Sequence, residues 1–133
     1  MTRRFGIDTS ILVRLLTGDP PATFDRCAAR LGELASEGCE LYASNQVIGE
    51  AYVAVQHHYG VLKDDARTAL ATVLRSGLVG PLRGRPVLAV LDASPSGSGL
   101  LDRLIAMDYD HEALVTLTLD ERMARLPRTT LLA

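Results

Sequence analysis

Arg4-Phe5-Gly6-Ile7-Asp8-Thr9-Ser10-Ile11-Leu12-Val13 decides how the rest of the chain is read. A short apolar-rich stretch, residues 4–7, runs up to an acid. Directly behind it residues 10–16 have helical character, with Thr9 or Ser10 as the cap and Gly18 as the stop. Strand, carboxylate, helix start: that order sets Asp8 at the C-terminal end of a strand, where open α/β sheets bind their ligands.

Working outward, Pro20-Pro21 punctuates. Then Phe24, Cys27, Ala28, Leu31, Leu34 and Ala35 recur at helical spacing. Residues 40–43 predict a second strand, and Ser44-Asn45 caps a long helix over 46–58 that Gly60 closes. An amphipathic helix follows over 63–75, and Gly77, Gly80-Pro81 and Gly84 mark a turn-rich connection. The apolar run 87–91 after Pro86 predicts a third strand, and residues 94–99, Ser-Pro-Ser-Gly-Ser-Gly, form the one low-complexity stretch. Beyond it the pattern predicts a helix over 100–107, a fourth strand over 113–117, a short helix over 121–126 and an edge strand over 130–132. Alternating strands and helices imply an α/β fold with a mostly parallel sheet covered on both faces. The 133 residues fit a single domain, 1–133, and 47% hydrophobic residues suffice for a continuous core.

Composition excludes several classes. No apolar run approaches the ~20 residues of a membrane span, and the start of the chain has no signal-peptide pattern, so a soluble cytoplasmic protein with no membrane partner is expected. Cys27 and Cys39 lack metal or redox spacing and are expected to be small buried hydrophobes. The net charge of −2 gives no overall pull toward nucleic acid. Local arginines at 3, 4, 14, 83 and 85 suit either phosphate contact or plain solvation.

The chemistry rests on four acids set in apolar sequence: Asp8, Glu50, Asp102 and Asp120. Each has an ordinary explanation alone. Asp8 and Asp120 can cap helices, and Asp102 can favour a first turn through the helix dipole. Glu50 is harder to dismiss, because its neighbours at helical spacing, Gln46, Val47, Val53 and Ala54, are mostly apolar. Ionised carboxylates in apolar surroundings need compensation. Four of them at the sheet's C-terminal edge predict convergence on a divalent cation. Oxygen-only donors favour Mg²⁺ or Mn²⁺, which activate water and neutralise a phosphodiester under attack.

With those residues in place the chain resembles PIN domains, and more narrowly the VapC-type toxins of bacterial toxin–antitoxin pairs. Residues 5–13 resemble the family's opening strand and first acid. Ser44-Asn45-Gln46-Val47-Ile48-Gly49-Glu50 resembles the second motif and Gly99-Leu100-Leu101-Asp102 the third. Val115-Thr116-Leu117-Thr118-Leu119-Asp120 resembles the fourth. The resemblance runs over nearly the whole chain, in order. It implies a three-layer α/β/α sandwich with a central sheet of four to five strands. One or two Mg²⁺ or Mn²⁺ ions, endonucleolytic cleavage of RNA, a cognate antitoxin and a homodimer are implied too. On this reading Asp8 and Asp102 are the principal ligands and Asp120 completes the ion site. Glu50 orients the attacking water, and the Ser10 and Thr118 hydroxyls hold carboxylates in place.

Other functions remain open at this point. A phospho-receiver or an Asp-x-Asp phosphatase shares strand-end acids, but no lysine follows Lys63 and Asp8-Thr9-Ser10 lacks a second aspartate. A housekeeping RNA-processing nuclease, or a non-catalytic RNA- or protein-binding scaffold, fits the same fold. Gly97-Ser98-Gly99 is read as a loop rather than a phosphate cradle. His57 and His58 are read as surface or interface histidines, with His57 on the same helix face as Glu50.

Overall fold

A computed structural model describes residues 2–93 and 98–133. The chain divides into two compact units, Met1–Asp92 and Ala93–Ala133.

The first unit is built as β1 (Arg4–Gly6), α1 (Thr9–Thr17), α2 (Pro21–Ser36), β2 (Glu40–Ala43), α3 (Asn45–Tyr59), α4 (Lys63–Arg75), β3 (Gly80–Pro81) and α5 (Arg85–Asp92). Its three strands form a parallel sheet in the order β1-β2-β3. Phe5 is registered with Leu41, and Tyr42 with both Gly6 and Gly80. Helices α1 and α3 start and stop where local side-chain chemistry dictates. Asp8 and Ser44 cap α1 and α3 by accepting from the Ile11 and Val47 amides at 3.2 Å each. Gly18 and Gly60 end the same helices at φ +65°, a left-handed conformation that suits a residue without a Cβ. The core is aliphatic: Leu12 and Val13 of α1, Ile48, Ala51 and Val55 of α3, and Ala66, Leu70 and Leu74 of α4 are all buried. α1 packs mainly on α3, and α4 on α3 and α5.

Two expectations are corrected in this unit. Residues 87–91 are not a strand but lie within helix α5. The run is short enough to suit either element, and Pro86 in the first turn favours a helix. Val87 and Leu91, four residues apart, are the positions it buries. The third strand lies instead in the turn-rich connection, where Gly80 and Pro81 register with Tyr42 and Ala43 and the Leu82 amide donates to the Ala43 carbonyl at 2.9 Å. Two residues are too few to show a periodicity. The cysteines, expected to be buried, are both only half-buried. Burial still raises the Cys27 thiol above its ordinary pKa, against the opposing charge of Arg14.

The second unit contains α6 (Leu100–His111), β4 (Thr116–Thr118), a 3₁₀ turn (Met123–Arg125) and β5 (Thr129–Leu131). β4 and β5 pair in parallel, with Thr116 opposite Thr129 and Thr118 opposite Leu131. α6 runs four residues beyond the predicted end at 107, because Asp108–His111 continues the helical hydrogen bonding. It stops at His111, with Glu112 as its C-cap and the left-handed Ala113 (φ +59°) just beyond. That stop also delays the fourth strand from the expected 113 to Thr116. The short helix expected over 121–126 is a single 3₁₀ turn. Asp110 and Arg128 form an ion pair between the end of α6 and the start of β5.

The described fold is thus α/β with six α-helices and five strands in two parallel ladders, of three and two strands. The low-complexity stretch falls partly outside the described residues: Ser94, Pro95, Ser96 and Gly97 are not among them, whereas Ser98 is buried and Gly99 sits at the N-cap of α6. No helix among the described residues is long and apolar enough to cross a membrane.

Candidate functional site

The first unit places two of the four acids at one helix start. β1 ends at Gly6, Ile7 is held by its amide on the Tyr42 carbonyl at 2.9 Å, and Asp8 is the next residue. The Asp8 carboxylate is fixed twice through Oδ1. The Ser10 hydroxyl donates to it at 2.6 Å and the Ile11 amide at 3.2 Å. These donors, the Ser10 hydroxyl foremost and the Ile11 amide next, hold the carboxyl below the ordinary aspartate pKa. Slight burial works in the opposite direction.

Glu50 reaches the same place from α3. Its Oε1 accepts a hydrogen bond from the Thr9 hydroxyl at 2.8 Å, across 41 positions of sequence. Asp8, Thr9 and Ser10 are consecutive. Two carboxylates, from β1's end and from α3, are therefore tied to one tripeptide, each by a hydroxyl. Sequence reasoning gave Thr9 only a capping role, shared with Ser10 as a candidate; the cap is Asp8, and Thr9 is the first residue of α1. Nothing local marks its bond to Glu50, since that partner becomes visible only once α1 is packed on α3.

The setting of these acids differs from the apolar burial that the sequence suggested. Asp8 and Glu50 are both exposed. α3 buries Ile48, Gly49, Ala51, Tyr52 and Val55, while Gln46, Glu50, Val53 and His57 share its solvent side. The apolar neighbour that argued for burial, Val53, is itself 37% exposed. Compensation for buried charge is thus no longer the reason to invoke a cation. What stands is connectivity: Asp8 and Glu50 each accept a hydrogen bond from a hydroxyl of the same helix start, Ser10 and Thr9 respectively.

Beside Asp8 the first unit carries a groove of about 490 Å³, lined by Arg4, Phe5, Ile7, Tyr42, Leu82 and Asp8 itself. Arginine is already engaged here. Arg3 lies 4.9 Å from the Phe5 ring centre and Arg4 5.0 Å from that of Tyr42, and Arg4 also approaches Glu40 at 3.5 Å. Arg14 is committed elsewhere, to the Asp19 carbonyl at 2.8 Å and the Tyr59 hydroxyl at 3.2 Å.

The second unit carries the other two acids. Asp102 is half-buried in the first turn of α6. Asp120 is exposed just beyond β4, and its Oδ1 accepts from the Arg122 and Met123 amides at 2.8 and 3.1 Å, which caps the 3₁₀ turn. The Thr118 hydroxyl accepts from the Asp120 amide at 3.0 Å. It holds the backbone of Asp120 rather than its carboxylate, unlike Ser10 with Asp8.

Asp8 and Glu50 offer hard oxygen atoms, the donor type that Mg²⁺ takes. Mg²⁺ is commonly held by only one or two carboxylates together with substrate phosphates. A closed protein cage is a different matter: among the described residues no three His, Cys, Asp or Glu side chains group to hold a metal.

The chain matches no family model, no curated protein and no solved structure with which it was compared. Function is therefore argued from the site alone.

Proposed function

We propose that this chain is a Mg²⁺- or Mn²⁺-dependent endoribonuclease of the PIN-domain type. In this reading it is the cytoplasmic, homodimeric toxin of a toxin–antitoxin pair. The observation that carries the proposal is the pair of hydroxyl-anchored carboxylates: Asp8 after a parallel strand, bonded by Ser10, and Glu50 on α3, bonded by Thr9. The finer fold belongs to the same proposal: a three-layer α/β/α sandwich with a central, mostly parallel sheet of four to five strands.

Asp8, Asp102 and Asp120 would hold one or two ions, and Glu50 would orient the attacking water. The ion supplies charge neutralisation at the scissile phosphate and a lowered pKa for that water. The chain's own contribution is positional. Ser10 holds Asp8 Oδ1 and lowers the pKa of its carboxyl. Asp120 spends one oxygen on its own turn and keeps the other available. An antitoxin would neutralise the enzyme by docking an arginine or an apolar helix over these acids.

The test is cleavage of end-labelled total RNA with added Mg²⁺ or Mn²⁺. Wild type should give discrete products that vanish with EDTA and in Asp8→Asn and Asp102→Asn. Full cleavage by either variant removes the site assignment. Co-purification with the product of a small adjacent reading frame supports the toxin role; failure of any such protein to bind favours an RNA-processing nuclease.

A further inference from the structure

The sheet of the first unit sets its side chains alternately on two faces. β2 turns Leu41 and Ala43 into the core and Tyr42, half-buried, to the opposite face. There Tyr42 has a glycine on either side, since Gly6 of β1 and Gly80 of β3 are its registered partners. A Cβ on Gly80 would meet the Tyr42 ring at 4.0 Å, whereas a Cβ on Gly6 would meet nothing within 4 Å. Open space thus lies over Gly6, which together with Arg4, Tyr42 and Asp8 lines the groove of about 490 Å³. That volume is within the range of small-ligand sites. The groove is aromatic and cationic at once. The Arg4 guanidinium lies 5.0 Å from the centre of the Tyr42 ring, and Arg3 stacks likewise on Phe5. Arg4 approaches Glu40 through Nε alone, in an exposed pair of little strength, and its Nη atoms make no hydrogen bond among the described residues. Stacking orients a guanidinium plane while leaving its edge donors to fork a phosphate.

We propose that this groove takes one unpaired nucleotide of the RNA substrate, its base over Gly6 against the Tyr42 ring and its phosphate on Arg4. An aromatic platform beside a cation is how proteins hold single strands. A duplex keeps its bases inside and has none to offer the groove. An apolar peptide would fill the same volume but leave the stacked arginines without an anion. Arg4 and Asp8 are four residues apart, about 13 Å of extended chain, so a strand anchored at Arg4 is led along the groove to Asp8. The inference rests on the nuclease reading for the identity of its ligand and adds the strandedness of the substrate. It involves no metal ion.

The experiment measures binding of the full chain to a fluorescein-labelled, 2′-O-methyl RNA decamer by polarisation, in EDTA so that nothing is cut. It compares the single strand with its duplex, and wild type with Tyr42→Leu, Tyr42→Phe, Gly6→Val and Arg4→Gln, with circular dichroism as the check on folding. Wild type should prefer the single strand. Loss of one stacked base costs roughly 5- to 150-fold, so Tyr42→Leu should weaken binding by that factor while Tyr42→Phe binds like wild type. Gly6→Val should weaken it too, at an undiminished melting temperature, because the added side chain enters the groove and not the core. Arg4→Gln should lower the dependence of log affinity on log salt by about 0.7, the share of one phosphate on a single strand. If Tyr42→Leu does not fold, the Gly6→Val and Arg4→Gln arms decide. Wild-type affinity in Tyr42→Leu or Gly6→Val, a Tyr42→Phe as weak as Tyr42→Leu, or an unchanged salt slope in Arg4→Gln each overturn the proposal. So does a wild type that prefers the duplex or binds neither form. The nuclease reading stands or falls separately, on metal-dependent cleavage.

Discussion

Asp8 does two jobs that substitution can separate. As the N-cap of α1 it supplies an acceptor to the Ile11 amide, and Ser10 shares the same oxygen. As a member of the proposed ion site it supplies charge. Asparagine keeps the acceptor and loses the charge; alanine loses both. A lost cap costs about 1 kcal/mol, within a range of roughly 0.5–2. The exposed Ser10 bond adds about half of that, because water replaces it. Unfolding entropy near the melting point scales to roughly 0.28 kcal/mol/K for 133 residues. Asp8→Ala should therefore melt about 5 °C below wild type, and Asp8→Asn within about 1 °C. Both should lose Mn²⁺-dependent cleavage of RNA. Thermal denaturation followed at 222 nm, alongside the cleavage assay, reads the two jobs independently. An Asp8→Asn chain as unstable as Asp8→Ala would show that charge, not capping, holds the helix start. An Asp8→Asn chain that still cleaves would refute the role in catalysis.

Two further outcomes follow from the first unit. Asp92 is held below the ordinary aspartate pKa, first by hydrogen bonding to the Arg75 guanidinium (Nη1 to Oδ1, 2.9 Å) and then by its charge, with burial opposing. A depressed carboxylate stabilises the fold above its unfolded pKa of about 3.9 and ceases to do so as pH falls through the lower folded value. The urea midpoints of wild type and Arg75→Met should differ near neutrality and converge in acid; a gap that persists below both values contradicts the pair's role. Ala89, exposed on α5, should cost about 1 kcal/mol when replaced by glycine, and valine there should also destabilise, as helix propensity requires. A stabilising Ala89→Val would restore the strand originally expected at 87–91.

Elements long enough to repeat their pattern were legible in the sequence. α3 and α4 were placed within a residue of their ends, because Ser44, Gly60 and the amphipathic run to Arg75 mark them by side-chain chemistry. β1 and β2 were found by short apolar runs bounded by Asp8 and Ser44. β3 was not, since Gly80 and Pro81 owe their strand state to a neighbour and not to their own propensity. α5 was misread for the opposite reason: five apolar residues satisfy either periodicity, and tertiary burial of Val87 and Leu91 decides between them. At the site, residue types located Asp8 and Glu50, but not their exposure. Helix α3 has more apolar residues than one face can bury, so an apolar neighbour such as Val53 says little about the side on which Glu50 lies. The Thr9–Glu50 bond was out of reach of any local reading, because its two ends lie 41 residues apart.

The consecutive placement of Asp8, Thr9 and Ser10 makes this site a matter of frame as well as of composition. One residue inserted ahead of Thr9 would leave every side chain present, yet turn the helix start by about 100° relative to the strand that delivers Asp8. Ser10 would release Asp8 and Thr9 would swing away from Glu50 in the same step. Spacing here is as much a component as any carboxylate, and it is the one that a count of residue types does not see.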